Sequence, residues 1–298
     1  MKQRRLKGVK KYSLFDWCVI IVLLIIGFLI AYPLYFVVIA SISDPVMVNS
    51  GQVWLFPKGI HFEGYKMVLS DSDVMLGYRN SILYTVIGTF CNVTCTVLAG
   101  YALSRKDLFG RKYLNWFIAI PMWFSGGLIP TYLTVDRLGL VNKPIVLILI
   151  SLVSSYNIII CRSFMSSLPY ELQEAAKIDG ASDFQILRHI ILPLSGGTIA
   201  VLCLYYGVTH WNSYFNPMIY LNNRDWQPLQ VFLREYLLLE QRLAIQETTD
   251  AEAIMALQQM AQVMKYSLIV IASVPFLVIY PLLQKYFVKG IMVGSVKG

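Results

Sequence analysis

The chain alternates long apolar runs with short polar segments, and six of the apolar runs are long enough to cross a bilayer. They cover residues 17–42, 80–103, 113–135, 144–163, 191–220 and 266–287. A hydrocarbon core about 30 Å thick requires about 20 apolar residues in a helix, because the backbone there must satisfy its own hydrogen bonds. The pattern therefore predicts an all-α, polytopic membrane protein with six transmembrane helices spread over residues 17–290.

The composition agrees with a chain that faces lipid. Hydrophobic residues make up 57% and charged residues 14%, whereas soluble domains carry about 25% charged residues. The first run follows a basic N-terminus, so a signal peptide is the alternative to a first span. A signal peptide has an apolar region of only about 7–15 residues followed by a small-residue cleavage site. The run from Trp17 to Ile42 is longer and shows no such site, which favours a span.

Positive charge predicts the orientation. More than half of the 25 Lys and Arg fall in the segments that an inside N-terminus assigns to the cytoplasm, as the positive-inside rule requires. Residues 1–16 and 291–298 are then cytoplasmic tails, and the long loops 44–79 and 221–265 lie outside. We expect a multi-pass membrane protein with both termini in the cytoplasm. The membrane flanks account for the net charge of +8, and no basic, aromatic-rich stripe indicates nucleic-acid binding.

The five cysteines lie in or beside apolar runs, at Cys18, Cys91, Cys95, Cys161 and Cys203. None has zinc-ligand spacing with a histidine partner. Cys91 and Cys95 are one helical turn apart, and packing explains that pair better than a metal or a disulfide. The sequence therefore predicts no metal site.

The predicted cytoplasmic loop between the fourth and fifth spans has an unusual pattern. We call residues 164–190, continuing to Leu192-Pro193, the elbow segment. Pro169 and two glutamates suit the first turn of a short helix, and Gly180 allows a sharp turn after it. Ser182 or Asp183 can cap a second short helix. The small pair Ala175-Ala176 beside the turn lets another protein approach the backbone, whereas an ordinary amphipathic loop gives no reason for it.

The elbow segment resembles the EAA loop of permeases in binding-protein-dependent ABC importers. The family pattern is E-A-A-x-x-x-G followed by I-x-L-P, and it stands here as Glu174 to Gly180 and Ile190 to Pro193. The resemblance covers nearly the whole chain and is closest to carbohydrate-type permeases. Supporting matches are Asn80-Ser81, the stretch from Gly100 to Arg105, Phe109-Gly110-Arg111, Gly139-Leu140, Trp211-Asn212 and Asn216-Pro217.

Residues 125–132 (SGGLIPTY) look like a narrower branch, which serves lipoprotein-dependent uptake of complex and sometimes acidic oligosaccharides such as aldouronates or alginate fragments. The chain departs from the family after Leu192-Pro193, where Gly196-Gly197 stands near the position of a frequent further proline. That departure puts the local helix start in doubt, and not the docking role.

The resemblance implies a type I ABC importer permease fold with a cytoplasmic coupling helix. It implies a second homologous permease, giving a heterodimer, two ABC ATPase subunits and an external solute-binding protein. The chain has no G-x-x-x-x-G-K-[ST] motif, so ATP and Mg²⁺ would be bound by the ATPase subunits. The chain itself would then be no enzyme and would hold no cofactor. The residues that match the coupling motif are Glu174, Ala175, Ala176, Asp179, Gly180, Leu192 and Pro193.

The fifth apolar run is unusually polar for a lipid-facing helix. Tyr206, His210, Ser213 and Pro217 share one helical face by spacing, and Tyr214 is adjacent. Polar groups at membrane depth face a bundle interior or a water-filled cavity, and aromatic rings suit a sugar path. Packing against a partner permease, or a place in the outer aromatic belt, is the alternative. The candidate substrate-path residues are Tyr206, His210, Asn212, Trp211, Tyr84, Asn92, Tyr156 and Asn157.

Two other classes of function fit the sequence less well. A secondary transporter usually shows inverted repeats and charged midplane residues, and neither is evident here. A membrane enzyme requires a nucleophile with its base or a metal cluster, and the three histidines, His61, His189 and His210, lie on different segments. A permease of the same class for a non-sugar solute also stays open.

The long loop 221–265 contains a second predicted element outside the spans. Apolar residues at helical spacing over Leu229–Leu243 predict a helix, with a polar tip after it. Loops near 40 residues usually have a function. The loop either contacts the solute-binding protein or covers the chain's own spans.

Overall fold

The structure is a computed structural model, and it describes residues 13–243, 261, 263–279 and 281. The predicted basic N-terminus, most of the loop tip and the C-terminal tail lie outside these residues. The described residues are helical and contain no strand. The chain divides into two compact units, one of residues up to Met67 together with Glu247–Val270, the other of Val68–Gln246 with Ile271 onward.

The described α-helices, in chain order, are as follows. They are α1 (Leu14–Ser41), α2 (Pro45–Asn49), α3 (Glu63–Ser70), α4 (Ser72–Ser104), α5 (Arg111–Ala119), α6 (Leu128–Arg137), α7 (Ile145–Leu149), α8 (Ser155–Ser167), α9 (Glu171–Ile178), α10 (Asp183–Ile186), α11 (Leu192–Leu194), α12 (Gly196–Trp211), α13 (Phe215–Tyr220), α14 (Leu229–Leu243) and α15 (Val263–Ile279). A π-helical turn, Leu187–Ile191, joins α10 to α11.

In the first unit, α1 begins at a capping box, in which Ser13 and Asp16 satisfy each other's backbone N–H groups. A loop after α2 folds back along α1. The hydroxyl of Tyr32 donates to the carbonyl of Trp54 at 3.3 Å, and the hydroxyl of Tyr35 donates to the carbonyl of Leu55. The part of the predicted external loop 44–79 around Trp54 and Leu55 therefore lies beside the first span.

The second unit is built on α4, which packs against α12, α8 and α14. At about 1.5 Å per residue its 33 residues span about 50 Å. Two glycines let its neighbours approach closely. A Cβ at Gly88 would lie 2.5 Å from Nε2 of His210, and one at Gly100 would lie 2.8 Å from Sγ of Cys161. Bulkier residues at either place would push α12 or α8 away.

Helix lies in each of the six predicted runs, but the helices depart from the predicted spans. Within the described part of the chain, only α1 and α4 are long and apolar enough to cross a membrane as single helices. The second span was expected to begin at Asn80, whereas α4 begins at Ser72, where Asp71 caps it through the amides of Asp73 and Val74. Asn80 and Ser81 therefore lie within α4, with buried side chains, and not at its first residue.

The third, fourth and fifth predicted spans are interrupted. Residues 124–127, which include Gly127 at φ +82°, separate α5 and the short 3₁₀ turn after it from α6. Residues 150–154 separate α7 from α8. The helices on either side of Ser195 are bent by 83° and pass the length and hydropathy test only as a pair. Glycine and proline supply the physical reason in the third and fifth spans, because neither sustains a continuous helix. In the sixth run, α15 covers Val263–Ile279, and most of its remainder lies outside the described residues.

Candidate coupling segment and polar residues of the spans

The elbow segment forms two short helices at an angle, as predicted. Helix α9 begins at Glu171, just after Pro169 and not with it, and ends before Gly180 at φ +81°. That left-handed conformation favours glycine. Ser182 then caps α10, its hydroxyl accepting from the amide of Gln185, whose side chain accepts from the amide of Ser182. Helix α12 begins at Gly196, so the glycine pair occupies its first turn.

The predicted coupling residues divide by exposure. Glu174, Ala175, Asp179, Gly180 and Pro193 are exposed. Ala176 and Leu192 are partly buried against the chain's own apolar cluster, whose members include Tyr101, Ile186 and Leu187. A partner approaching the elbow segment would therefore meet the first group and not the second.

Two apolar side chains beside the elbow were missed by the sequence reasoning. Ile178 is 86% exposed and Phe184 is 65% exposed, one on each side of Gly180. Large apolar groups projecting from a polar loop are typical of a protein-docking surface. Their apolar character in a segment otherwise rich in charge was the signal that could have identified them.

The elbow segment is fixed to the end of α4 by polar contacts. Arg105, which caps α4, donates to Oε1 of Gln173 on α9 at 2.9 Å and lies 3.1 Å from Oδ1 of Asp183 on α10. It also makes a two-point contact with Asp107, at 3.0 and 2.8 Å. Lys177 on α9 donates to the same Asp107 at 2.9 Å.

These contacts shift the acid–base properties of the groups involved. Hydrogen bonds from Arg105 and then Lys177 hold the pKa of Asp107 well below its usual value. The hydrogen bond to Asp107 raises the pKa of Lys177 and, despite partial burial, that of Arg105. All three groups therefore keep their charges throughout the neutral range.

Most of the predicted substrate-path residues are buried or form hydrogen bonds within the chain. Nε2 of His210 lies 2.9 Å from Oδ1 of Asn92, and the amide of Asn92 donates to the carbonyl of Ser151 in the break between α7 and α8. The hydroxyl of Tyr206 pairs with that of Thr96 at 2.7 Å. Both Tyr206 and His210 are buried, so the face predicted to line a cavity packs against α4.

The remaining candidates differ in exposure. Trp211 is buried and its Nε1 donates to the carbonyl of Ala272 at 3.0 Å. Asn157 is buried, and Tyr84 donates to the carbonyl of Trp226 at 2.9 Å. Tyr156 and Asn212, in contrast, are exposed. Of the other members of the predicted face, Pro217 is buried, Ser213 is half-buried and Tyr214 is exposed.

The first part of loop 221–265 is folded onto α4. The predicted helix is confirmed as α14, which buries Leu229 and Phe232, and Phe232 fills the space beside Gly77. The side-chain amide of Asn80 donates to the carbonyls of Asp225 and Gln227 at 2.8 and 3.0 Å. The predicted polar tip lies outside the described residues.

Two helices long and apolar enough to cross a bilayer, with a polar elbow fixed to the longer of them, indicate a helical membrane protein. A family model described as the inner membrane component of binding-protein-dependent transport systems matches residues 6–293. The chain belongs to that family and has the fold of a type I ABC importer permease.

Named relatives agree with this assignment. The polygalacturonan/rhamnogalacturonan transport system permease protein YtcP of Bacillus subtilis (strain 168) is 36% identical over 97% of this chain and 100% of that protein. Protein LplC of the same organism is 36% identical over 98% of this chain and 97% of its own. A crystal structure of a bacterial ABC transporter that imports the acidic polysaccharide alginate contains a chain with TM-score 0.84 and 32% identity, covering 94% of this chain and all of that one.

Proposed function

We propose that this chain imports an oligosaccharide, most readily one containing uronic acids, as one permease of an ABC importer. Relatives named for polygalacturonan and alginate support the substrate class. ATP and Mg²⁺ would bind to two separate ATPase subunits, with no cofactor in this chain and no enzymatic step of its own. A second homologous permease and an external solute-binding protein would complete the transporter in the bacterial membrane, with both termini of this chain in the cytoplasm.

The elbow segment is the feature on which the proposal depends. The exposed turn at Gly180 presents the apolar side chains of Ile178 and Phe184 to a partner. The small side chain of Ala175 leaves the backbone beside them accessible. This is the surface that an ATPase cleft would receive. Glu174 and Asp179 place negative charge beside these two apolar side chains.

Docking can be tested with a bulky residue at the exposed alanine. Ala175→Trp should lower the ATPase subunit recovered with the purified chain by about tenfold, because a buried clash of this kind costs 1–3 kcal/mol. Ala102→Trp, the same change at an exposed alanine outside the elbow segment, should have little effect. Normal ATPase recovery and normal stimulation of hydrolysis with Ala175→Trp would contradict the docking role.

The substrate path is proposed for the exposed face of α12, one residue away from the face that the sequence favoured. Tyr205 and Asn212 are exposed on that face, with Thr209 between them. Tyr156 on α8 contributes a ring whose centroid is 6.5 Å from that of Tyr205. The hydroxyl of Thr209 and the side-chain amide of Asn212 donate to carbonyls of α12, and their remaining acceptor groups, together with the two tyrosine rings, suit a water-filled sugar path.

Tyr205→Ala tests this path. We expect import to fall by about tenfold without loss of the ATPase subunit, since an aromatic contact is worth about 0.5–1.5 kcal/mol. Tyr113→Ala, at an exposed tyrosine on α5, is the matched control. Equal import by Tyr205→Ala and the unchanged protein would remove this face from the path.

Uptake by cells expressing the whole transporter tests the substrate class. Import of trigalacturonate that disappears when this chain is deleted, with no import of maltotriose, would support a uronic-acid substrate. Maltotriose alone would favour a neutral oligosaccharide, and import of neither would favour a non-sugar solute. Deletion of residues 240–250 in the same assay tests whether the loop tip contacts the binding protein. Unchanged import would contradict such a contact.

A further inference from the structure

The guanidinium of Arg105 makes polar contacts with α4, α9 and α10 and with the segment that follows α4. Its five N–H groups face five oxygen atoms, and the side chain is only 6% exposed. The partners are both carboxylate oxygens of Asp107, Oδ1 of Asp183, Oε1 of Gln173 and, at 3.2 Å, the hydroxyl of Tyr101. Only a planar fork of donors can reach such a set of acceptors at once.

These contacts supply the main attachment of α9 to α4. Gln173 is the one buried residue among the eight of α9, and Arg105 binds it there. The neighbouring residues strengthen the attachment. Lys106 lies over the ring of Tyr170, 4.7 Å from its centroid, just before α9 begins. Asp107 holds Lys177, one turn after Gln173 on the same face.

Helix α10 is attached at its first residue, Asp183, and by apolar packing. Ile186 and Leu187 lie in one buried cluster with Val97 and Tyr101 of α4. Apolar packing is non-directional, so it allows sliding that a set of directional hydrogen bonds prevents. Arg105 therefore sets the angle of both arms of the elbow relative to α4. The positive charges of Arg105 and Lys177 are also balanced by the negative charges of Asp107 and Asp183.

The other end of α4 is fixed as firmly. Near Ser72, Asp73 accepts from Arg224 at 2.7 Å, the hydroxyl of Tyr236 contacts Asp71, and the amide of Leu229 donates to Ser81 at 2.9 Å. A single continuous helix of 33 residues thus links the elbow segment to residues 224–236. It contains no proline at which it would kink, so a displacement of one end is transmitted along it.

We propose that Arg105 is a positioning residue that locks the elbow segment to α4, so that movement imposed on α9 by an ATPase subunit is passed along α4 and not absorbed by the turn at Gly180. This role presupposes the docking proposed for the elbow segment. When the contacts of Arg105 with α9 and α10 are removed, ATP hydrolysis should continue while transport fails. A residue needed only for folding would lower both in proportion.

Arg105→Lys keeps the charge and removes the fork, so it is the main variant. In proteoliposomes containing the assembled transporter, we expect about a tenfold fall in trigalacturonate imported per ATP hydrolysed, since hydrogen bonds to charged groups contribute about 1.5–3 kcal/mol each. Arg111→Lys is the matched control. Arg111, the first residue of α5, donates to the carbonyl of Leu103 at 2.9 Å and makes no hydrogen bond or ion pair with α9 or α10 among the described residues.

A distance measurement tests the lock without any sugar. Spin labels are placed on genetically encoded azidophenylalanine at Glu171 of α9 and Val86 of α4, both exposed. In the unchanged transporter, trapping with ATP and vanadate should leave the distance between the labels in one narrow population. In Arg105→Lys the distribution should shift or broaden on trapping. A distribution that is equally narrow and unshifted in both proteins would overturn the proposal.

A second variant covers the case in which Arg105→Lys does not assemble. Gln173→Met removes one contact and leaves the charges balanced, and about a threefold fall in import per ATP is expected. An import ratio and distance distribution matching the unchanged transporter would overturn the lock. Recovery of the ATPase subunit, measured in the same preparations, separates the outcomes. Absence of the ATPase subunit from preparations of the unchanged chain contradicts the proposed function, whereas intact docking with an unchanged ratio in the variants contradicts only the role of Arg105.

Discussion

A methyl group at Gly88 should destabilise the bundle through one identifiable neighbour. In Gly88→Ala the new Cβ would lie 2.5 Å from Nε2, 2.6 Å from Cε1 and 2.8 Å from Cδ2 of His210. The imidazole is buried and has to move, which breaks its hydrogen bond to Asn92. Overpacking costs about 1–3 kcal/mol, and the lost hydrogen bond adds about 0.5–1.5 kcal/mol.

The expected loss of about 2–4 kcal/mol corresponds to a fall of roughly 5–15 °C in the unfolding temperature. Thermal unfolding of the purified chain, followed by intrinsic fluorescence, measures it. The control is Gly27→Ala on α1, where a Cβ meets nothing within 4 Å and the helix should gain about 0.5–1 kcal/mol.

A double-mutant cycle shows whether His210 is the cause. His210→Ala alone should also destabilise, because it leaves a cavity and removes the partner of Oδ1 of Asn92. Adding Gly88→Ala in that background should cost almost nothing, since the methyl occupies the vacated space. If the two losses simply add, the clash lies elsewhere and the packing of α4 on α12 is not as described.

Three further outcomes are expected. Gly180→Ala strains a backbone at φ +81° by about 1 kcal/mol and should weaken ATPase recovery, while Gly180→Asn, which tolerates that conformation, should weaken it less. Asn80→Ala removes both hydrogen bonds to loop 224–227 and should raise amide exchange at Gln227 by about tenfold, measured by mass spectrometry. The lowered pKa of Asp107 means that its stabilising contribution is present above its usual value of 3.8 and is lost as the pH falls through the lower folded value. Import per ATP should therefore stay constant from pH 8 to pH 5 in the unchanged transporter, and a marked fall over that range would contradict the ion pairs assigned to Asp107.

The positions of the helices in the chain were largely predictable from the sequence. Apolar runs of bilayer length mark the six regions, and each of them contains helix. Gly180, Ser182 and the glutamates of α9 predict the elbow, because local backbone and capping preferences decide that structure. The helix at Leu229–Leu243 followed from its periodicity for the same reason.

Tertiary structure alone decided the break in the fourth span and which polar groups meet. Hydropathy does not separate a lipid-facing side of a helix from a core-facing one, since both are apolar, and so the buried face of α12 was taken for a cavity. Asn92 satisfies a carbonyl 59 residues away in the break before α8, and Arg105 binds a glutamine 68 residues away. No local pattern encodes such pairs, because they exist only once packed helices bring distant residues within the reach of one hydrogen bond.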